Sequence, residues 1–143
     1  MNNLKKTLFA GAFPFWNKLT DDERDRLINE SIEVVYNKGD SIHHSDMECK
    51  GIIVVLLGRL RIYMLSEEGR EVTLFYIYAG DSCVLSASCL LETIEFEIII
   101  EPVDDVRSII IPTAVVHPIM ENNLHMELYM YKKATERFSD VMW

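Results

Sequence analysis

Runs of β-branched and aromatic residues recur at short intervals between Ile32 and Ile111, each closed by a turn, and this cadence limits the possible folds more than any other feature of the chain. The runs cover residues 32–36, 41–44, 52–57, 60–65, 72–78, 96–100 and 106–111. Lys38-Gly39-Asp40, Gly51, Gly58, Glu68-Gly69-Arg70 and Ala79-Gly80-Asp81 stand between them. Strands this short and this close leave no room for the helical crossovers of a parallel sheet, so the pattern predicts an antiparallel roll, sandwich or barrel. Leu60, Ile62 and Met64 alternate with Arg59, Arg61 and Tyr63, which predicts one buried face for that strand. Glu67-Glu68-Gly69 then closes a hairpin.

Helices flank the strand region. Thr20-Asp21-Asp22-Glu23 has the capping-box form, in which hydroxyl and carboxylate each satisfy the other residue's backbone N–H, and predicts a helix from Asp21 to about Glu30 held by Leu27 and Ile28. Beyond Pro112, residues 113–122 read as a helix, with Pro112 at its first position, a disturbance at Pro118 and a break at Asn122-Asn123. Leu124, Leu128, Tyr131, Thr135, Phe138 and Met142 then follow at spacings of 4, 3, 4, 3 and 4, a coiled-coil-like seam expected to pair two subunits. The helix still runs at Trp143 with no Gly, Asn or Pro to stop it, which predicts a longer natural helix and a further domain. The expected partition is 1–30 N-terminal helices, 31–111 strands and 112–143 C-terminal helices.

A chain of 143 residues that is 49% hydrophobic fits one domain with an ample core. Fourteen basic against 23 acidic residues give a net charge of −9, which opposes the counterion release that drives nucleic-acid binding. These residues alone are not expected to hold DNA. Lys5-Lys6 and the apolar residues after it open like a signal peptide, but Pro14, Trp16 and Asp21-Asp22-Glu23-Arg24 end the run too early, so a short helix is expected there. No apolar run approaches the roughly 18 residues of a membrane span. Three cysteines at unequal spacing fit reduced thiols in a cytoplasm better than a disulfide framework.

One segment has the form of a ligand cradle: Gly80, Asp81, Ser82, Cys83, Val84, Leu85, Ser86, Ala87, Ser88 and Cys89, with a short helix expected near 83–91. No Lys or Arg occurs between Arg70 and Arg107. A pocket there meets Glu71, Asp81, Glu92, Glu95, Glu97, Glu101, Asp104 and Asp105, so a phosphate lacks a cation and meets repulsion.

Lys38-Gly39-Asp40, the run from Leu57 to Tyr63, the run from Ser66 to Leu74 and the Gly80–Cys89 cradle occur in the order found in the effector domain of Crp/Fnr transcription regulators, which this chain resembles from about Phe13 to Trp143. The C-terminal residues 134–143 resemble the middle of the central helix in clostridial-type members. The resemblance implies a cyclic-nucleotide-binding-like antiparallel β-roll (a double-stranded β-helix) followed by a long dimerisation helix. It also implies a homodimer, a small-molecule effector near the short helix, and DNA contact only through a helix-turn-helix domain beyond this chain. Nucleotide-binding members carry a Gly-Glu pair at the start of the short helix and an Arg followed by Ser or Thr a few residues later. Here the first position falls near Val84-Leu85, and residues 93–98 hold Glu95 and Glu97 but no Arg, so cyclic AMP is not the expected effector.

Other chemistries fit less well. Backbone amides at Ser82 to Leu85 could hold a nucleotide or another small anion without Arg, but only weakly among the surrounding acids. Cys83 and Cys89 flank the expected helix and serve equally well as packing residues; six positions of helix rise about 9 Å, beyond the roughly 7 Å that a disulfide spans. Cys83, at the entrance of that helix, is the thiol expected to react fastest. Three scattered cysteines do not supply the four ligands of an iron–sulfur cluster. His117 and His125 read as packing or surface residues rather than haem ligands. A cupin-type metalloenzyme needs His-x-His on one strand face, whereas adjacent His43 and His44 point to opposite faces. Ser86 and Ser88 lack a nucleophile elbow. The expectation is a non-enzymatic sensor with no cofactor and no metal site.

Overall fold

A computed structural model describes residues 2–40, 42–43, 50–84 and 98–142. Helix α1 (Asn2–Ala12) leads through a single 3-10 turn (Trp16–Lys18) to α2 (Asp21–Glu30). The capping box forms as expected: Glu23 N–H donates to Thr20 Oγ1 at 3.1 Å and Thr20 N–H donates to Glu23 Oε1 at 2.8 Å. The other end of α2 is closed by a residue of α1, because buried Lys5 donates from Nζ to the carbonyls of Ile28 (3.2 Å) and Ser31 (3.0 Å). A cation at a helix C-terminus is well matched to the carbonyls that point out of it.

The strands are β1 (Ile32–Tyr36), β2 (Ile42–His43), β3 (Lys50–Leu57), β4 (Arg59–Leu65), β5 (Glu71–Tyr78), β6 (Ser82–Val84), β7 (Ile98–Pro102) and β8 (Val106–Pro112). Among the described residues they form two antiparallel sheets, in the orders β1-β8-β3-β6 and β2-β7-β4-β5. This is the antiparallel arrangement expected from the cadence, in the β-roll form that the resemblance implied. Helix α3 (Thr113–Asn122) and the long α4 (Leu124–Met142) follow, α3 within its expected bounds and unbroken at Pro118. Pro112 stands just outside α3 as its N-cap rather than inside as its first residue.

Two cores lie on either side of the β1-β8-β3-β6 sheet. Ile52 and Val54 of β3 join Ile109 and Ile111 of β8 against the helices, packing with Phe9, Phe13, Leu27, Val116 and Met126. Ile53 and Val55 point the other way, into the roll, with Leu60, Ile62, Ile77, Ile100 and Ile110. Alternate side chains of one strand thus enter different cores, which is why its sequence is an unbroken apolar run.

The expected alternation of β4 fails halfway. Leu60 and Ile62 are buried, but so is Tyr63, while Met64 is half-buried. The pairing with β5 slips between Ile62, opposite Phe75, and Tyr63, opposite Thr73. The extra residue, Leu74, is a bulge on β5, while β4 keeps an unbroken register with β7 from Leu60 to Met64. Gly58 alone connects β3 to β4; its φ is +84° and a Cβ there would lie 2.4 Å from the Asp105 carbonyl oxygen.

Candidate functional site

The cradle begins with a turn fastened to β3. Asp81 N–H donates to the Tyr78 carbonyl at 2.9 Å, and Tyr78 N–H donates to Asp81 Oδ2 at 3.2 Å. Gly80, at φ +92°, donates its N–H to the Val55 carbonyl at 2.8 Å, and Val55 N–H donates to the Asp81 carbonyl at 3.1 Å. The chain then continues as a strand: Ser82, Cys83 and Val84 pair with Val54, Ile53 and Ile52. This corrects the expected start of the short helix near Cys83, because the ladder along β3 takes up the backbone there. Cys83 therefore stands neither at a helix entrance nor on one helix with Cys89, and the reasons drawn from helix geometry for its reactivity and for excluding a bridge do not apply. Leu85, Ser86, Ala87, Ser88 and Cys89, with the rest of the expected helix, lie outside the described residues, as do His44 and Cys49.

The acid-only segment acquires cations from β4. Half-buried Arg61 donates through Nη1 to Glu71 (2.9 Å) and Glu101 (3.4 Å), and through Nε to Thr73 (2.9 Å), while its guanidinium lies 4.3 Å from the Tyr63 ring centre. The Glu71 hydrogen bond first, and Glu101 after it, hold the Arg61 guanidinium above its ordinary pKa. Arg59 lies 3.7 Å from Asp104. Asp105 accepts from Lys38 N–H at 2.9 Å, and Asp81 is used in its own turn. The described acids of this stretch are thus each engaged by a cation or a backbone donor, so the repulsion inferred from sequence is weakened. Leu60 and Ile62 point into the roll, and Arg59 and Arg61 alternate with them toward the opposite face.

Helix α4 divides its apolar residues between two faces. Met126, Tyr129 and Met130 are buried against the helical core, Tyr129 in ring contact with Phe13 and Phe15. Leu124, Leu128 and Tyr131 of the expected seam are 75%, 64% and 51% exposed. Packing on the chain's own core therefore does not explain Leu124 and Leu128. Thr135, Phe138 and Met142 lie on the same helix, their side chains outside the described ones. Among the described residues no group of three or more His, Cys, Asp or Glu side chains converges as a metal site, and no helix is long and apolar enough to cross a membrane. His117 Nδ1 lies 3.3 Å from Glu121 on the exposed side of α3.

Comparison with solved structures places this geometry. A protein from Eubacterium rectale described as a transcriptional regulator of the Crp/Fnr family matches over 92% of this chain, with 38% identity and a TM-score of 0.80. The chain belongs to the Crp/Fnr family. It spans 61% of the length of that regulator. The sensor domain of the transcriptional regulator DNR from Pseudomonas aeruginosa superimposes with a TM-score of 0.74 at 15% identity, covering 95% of this chain and 89% of its own. The heme domain of CooA from Rhodospirillum rubrum does so with a TM-score of 0.62 at 19% identity, covering 91% of each chain. These two show the fold alone. No family model matches the sequence, and no curated protein matches it.

Sequence reasoning on this Crp/Fnr chain missed strand β6, the bridge made by Arg61 and the contact of Lys5 with the end of α2. Only the first left a local signal, the β-branched Val84 within a small-residue run beside β3's apolar stretch.

Proposed function

We propose that the chain is the effector-sensing and dimerisation module of a bacterial DNA-binding regulator, non-enzymatic and cytoplasmic, with residues 31–111 as the sensor and α4 as the helix that pairs two subunits. The observation that carries this reading is the split of α4, with one apolar face buried at Met126, Tyr129 and Met130 and a second apolar face exposed at Leu124, Leu128 and Tyr131. An apolar stripe left in water beside a satisfied one is the composition of a helix that packs twice, once within its subunit and once on a second copy. The effector is a small molecule other than cyclic AMP. The residues between Arg70 and Arg107 bring no cation of their own, and Arg61 is committed to Glu71, Thr73 and Glu101. The DNA-binding part belongs to residues beyond these.

Sedimentation velocity tests the pairing. The unmodified chain is expected to sediment as a dimer that Leu128→Glu converts to a folded monomer. A monomer at high concentration for the unmodified chain would defeat the reading.

A further inference from the structure

Asn123 is the extended residue between α3 and α4 (φ −136°, ψ 107°), and its side-chain amide is used in two directions. Oδ1 accepts from the backbone N–H groups of His125 (3.1 Å) and Met126 (3.2 Å), closing the first turn of α4. Nδ2 donates to the Lys18 carbonyl at 2.9 Å and reaches Glu23 Oε1 at 3.5 Å, 105 and 100 positions away in the chain. Glu23 Oε1 also accepts the Thr20 N–H that opens α2. Capping α4 requires only an acceptor oxygen, which Asp or Ser supplies as well as Asn does. The donor half of the amide serves a different contact, and a carboxylate in its place would face Glu23.

We infer that Asn123 is a positioning residue, a clasp that ties the start of α4 to the turn opening α2, so that the N-terminal helices set the direction in which α4 leaves the domain. The importance of that direction rests on the reading of α4 as the pairing helix, but the clasp does not. Several charged groups belong to the elements meeting here. Glu23 makes the contact itself, and Arg24 is taken up by the carbonyls of Trp16 and Leu19 and by Asp21. Asp22 and Arg26 line the groove beside Asn122, and His125 and Glu127 lie on the first turn of α4.

Polarity reversal at the two residues provides the test, read by thermal melting of the 143-residue chain. Asn123→Asp keeps the cap but sets two carboxylates against each other. The expected result is a Tm about 3–6 °C lower at pH 7. In that variant the folded state binds protons more readily than the unfolded state, so the loss should shrink as pH falls through about 6 to 4. Adding Glu23→Gln returns a donor to the pair, the introduced amide on α2 giving its N–H to the introduced carboxylate before α4, and should restore part of the Tm at pH 7, the Lys18 carbonyl remaining without its donor in both variants. A cap alone predicts the opposite on both counts: Asn123→Asp is neutral or stabilising at pH 7 and worsens on acidification, and Glu23→Gln does not rescue it. Either of those outcomes overturns the clasp. If Asn123→Asp does not fold, folding of the double variant supports the clasp and its failure counts against it. Sedimentation of the unmodified chain separately decides the pairing, so the two ideas can fail independently.

Discussion

Lys5 Nζ donates to the carbonyl oxygen of Ser31 at 3.0 Å, joining residues 26 positions apart across the end of α2. Ile28 O has a second donor in Ser31 Oγ at 3.1 Å, whereas Ser31 O has no other side-chain donor among the described residues. Lys5→Met should fill the same space and leave that carbonyl without its charged partner. The expected cost is about 1–2 kcal/mol, a charge-assisted hydrogen bond less the gain from an apolar replacement. Urea unfolding should show a lower midpoint with an unchanged slope, and an unchanged midpoint would refute the role.

Gly58→Ala is expected to cost at least about 2 kcal/mol, because the added Cβ meets the Asp105 carbonyl oxygen at 2.4 Å on a backbone already at φ +84°. The same substitution at Gly11, where a Cβ meets nothing within 4 Å, should be neutral or slightly stabilising. Equal midpoints for the two variants in chemical denaturation would contradict the geometry.

Leu128→Glu and Met126→Glu place the same charge two positions apart on α4. Met126 is fully buried and Leu128 is 64% exposed. The first change should leave monomer stability within about 0.5 kcal/mol, whereas the second buries an unpaired carboxylate and should prevent folding or cost more than about 4 kcal/mol. Circular dichroism on dilute protein separates them.

Isothermal calorimetry with cyclic AMP and cyclic GMP should show no micromolar binding. A missing charge-assisted phosphate contact removes about 1.5–3 kcal/mol, roughly a tenfold to hundredfold loss of affinity. Micromolar affinity for either nucleotide would overturn the assignment of a different effector.

Several strands and helices were legible because their signals are local. Apolar period, turn glycines and the Thr20–Glu23 box suffice to place β1, α2 and α3 at the residues they occupy. What could not be read depends on partners distant in the chain. The slip at Ile62 is a property of the β4–β5 pairing, and Ser82–Val84 is a strand because the edge of β3 accepts it. Arg61 meets Glu71 and Glu101 from 10 and 40 positions away, so an inventory of charge along the segment overstated its repulsion. Of the cradle, the structure places Gly80 to Val84 and leaves the later half outside its description.

Strand β3 is a party wall. Ile52 and Val54 belong to the helical core and Ile53 and Val55 to the roll, all four with no exposure to water. Neither compartment can melt alone without wetting one side of the strand that the other still needs, so the chain should show one calorimetric transition with equal calorimetric and van't Hoff enthalpies. Two resolved peaks would show that the wall comes apart. Any load that shifts β3 from within the roll is borne at once by the helices behind it.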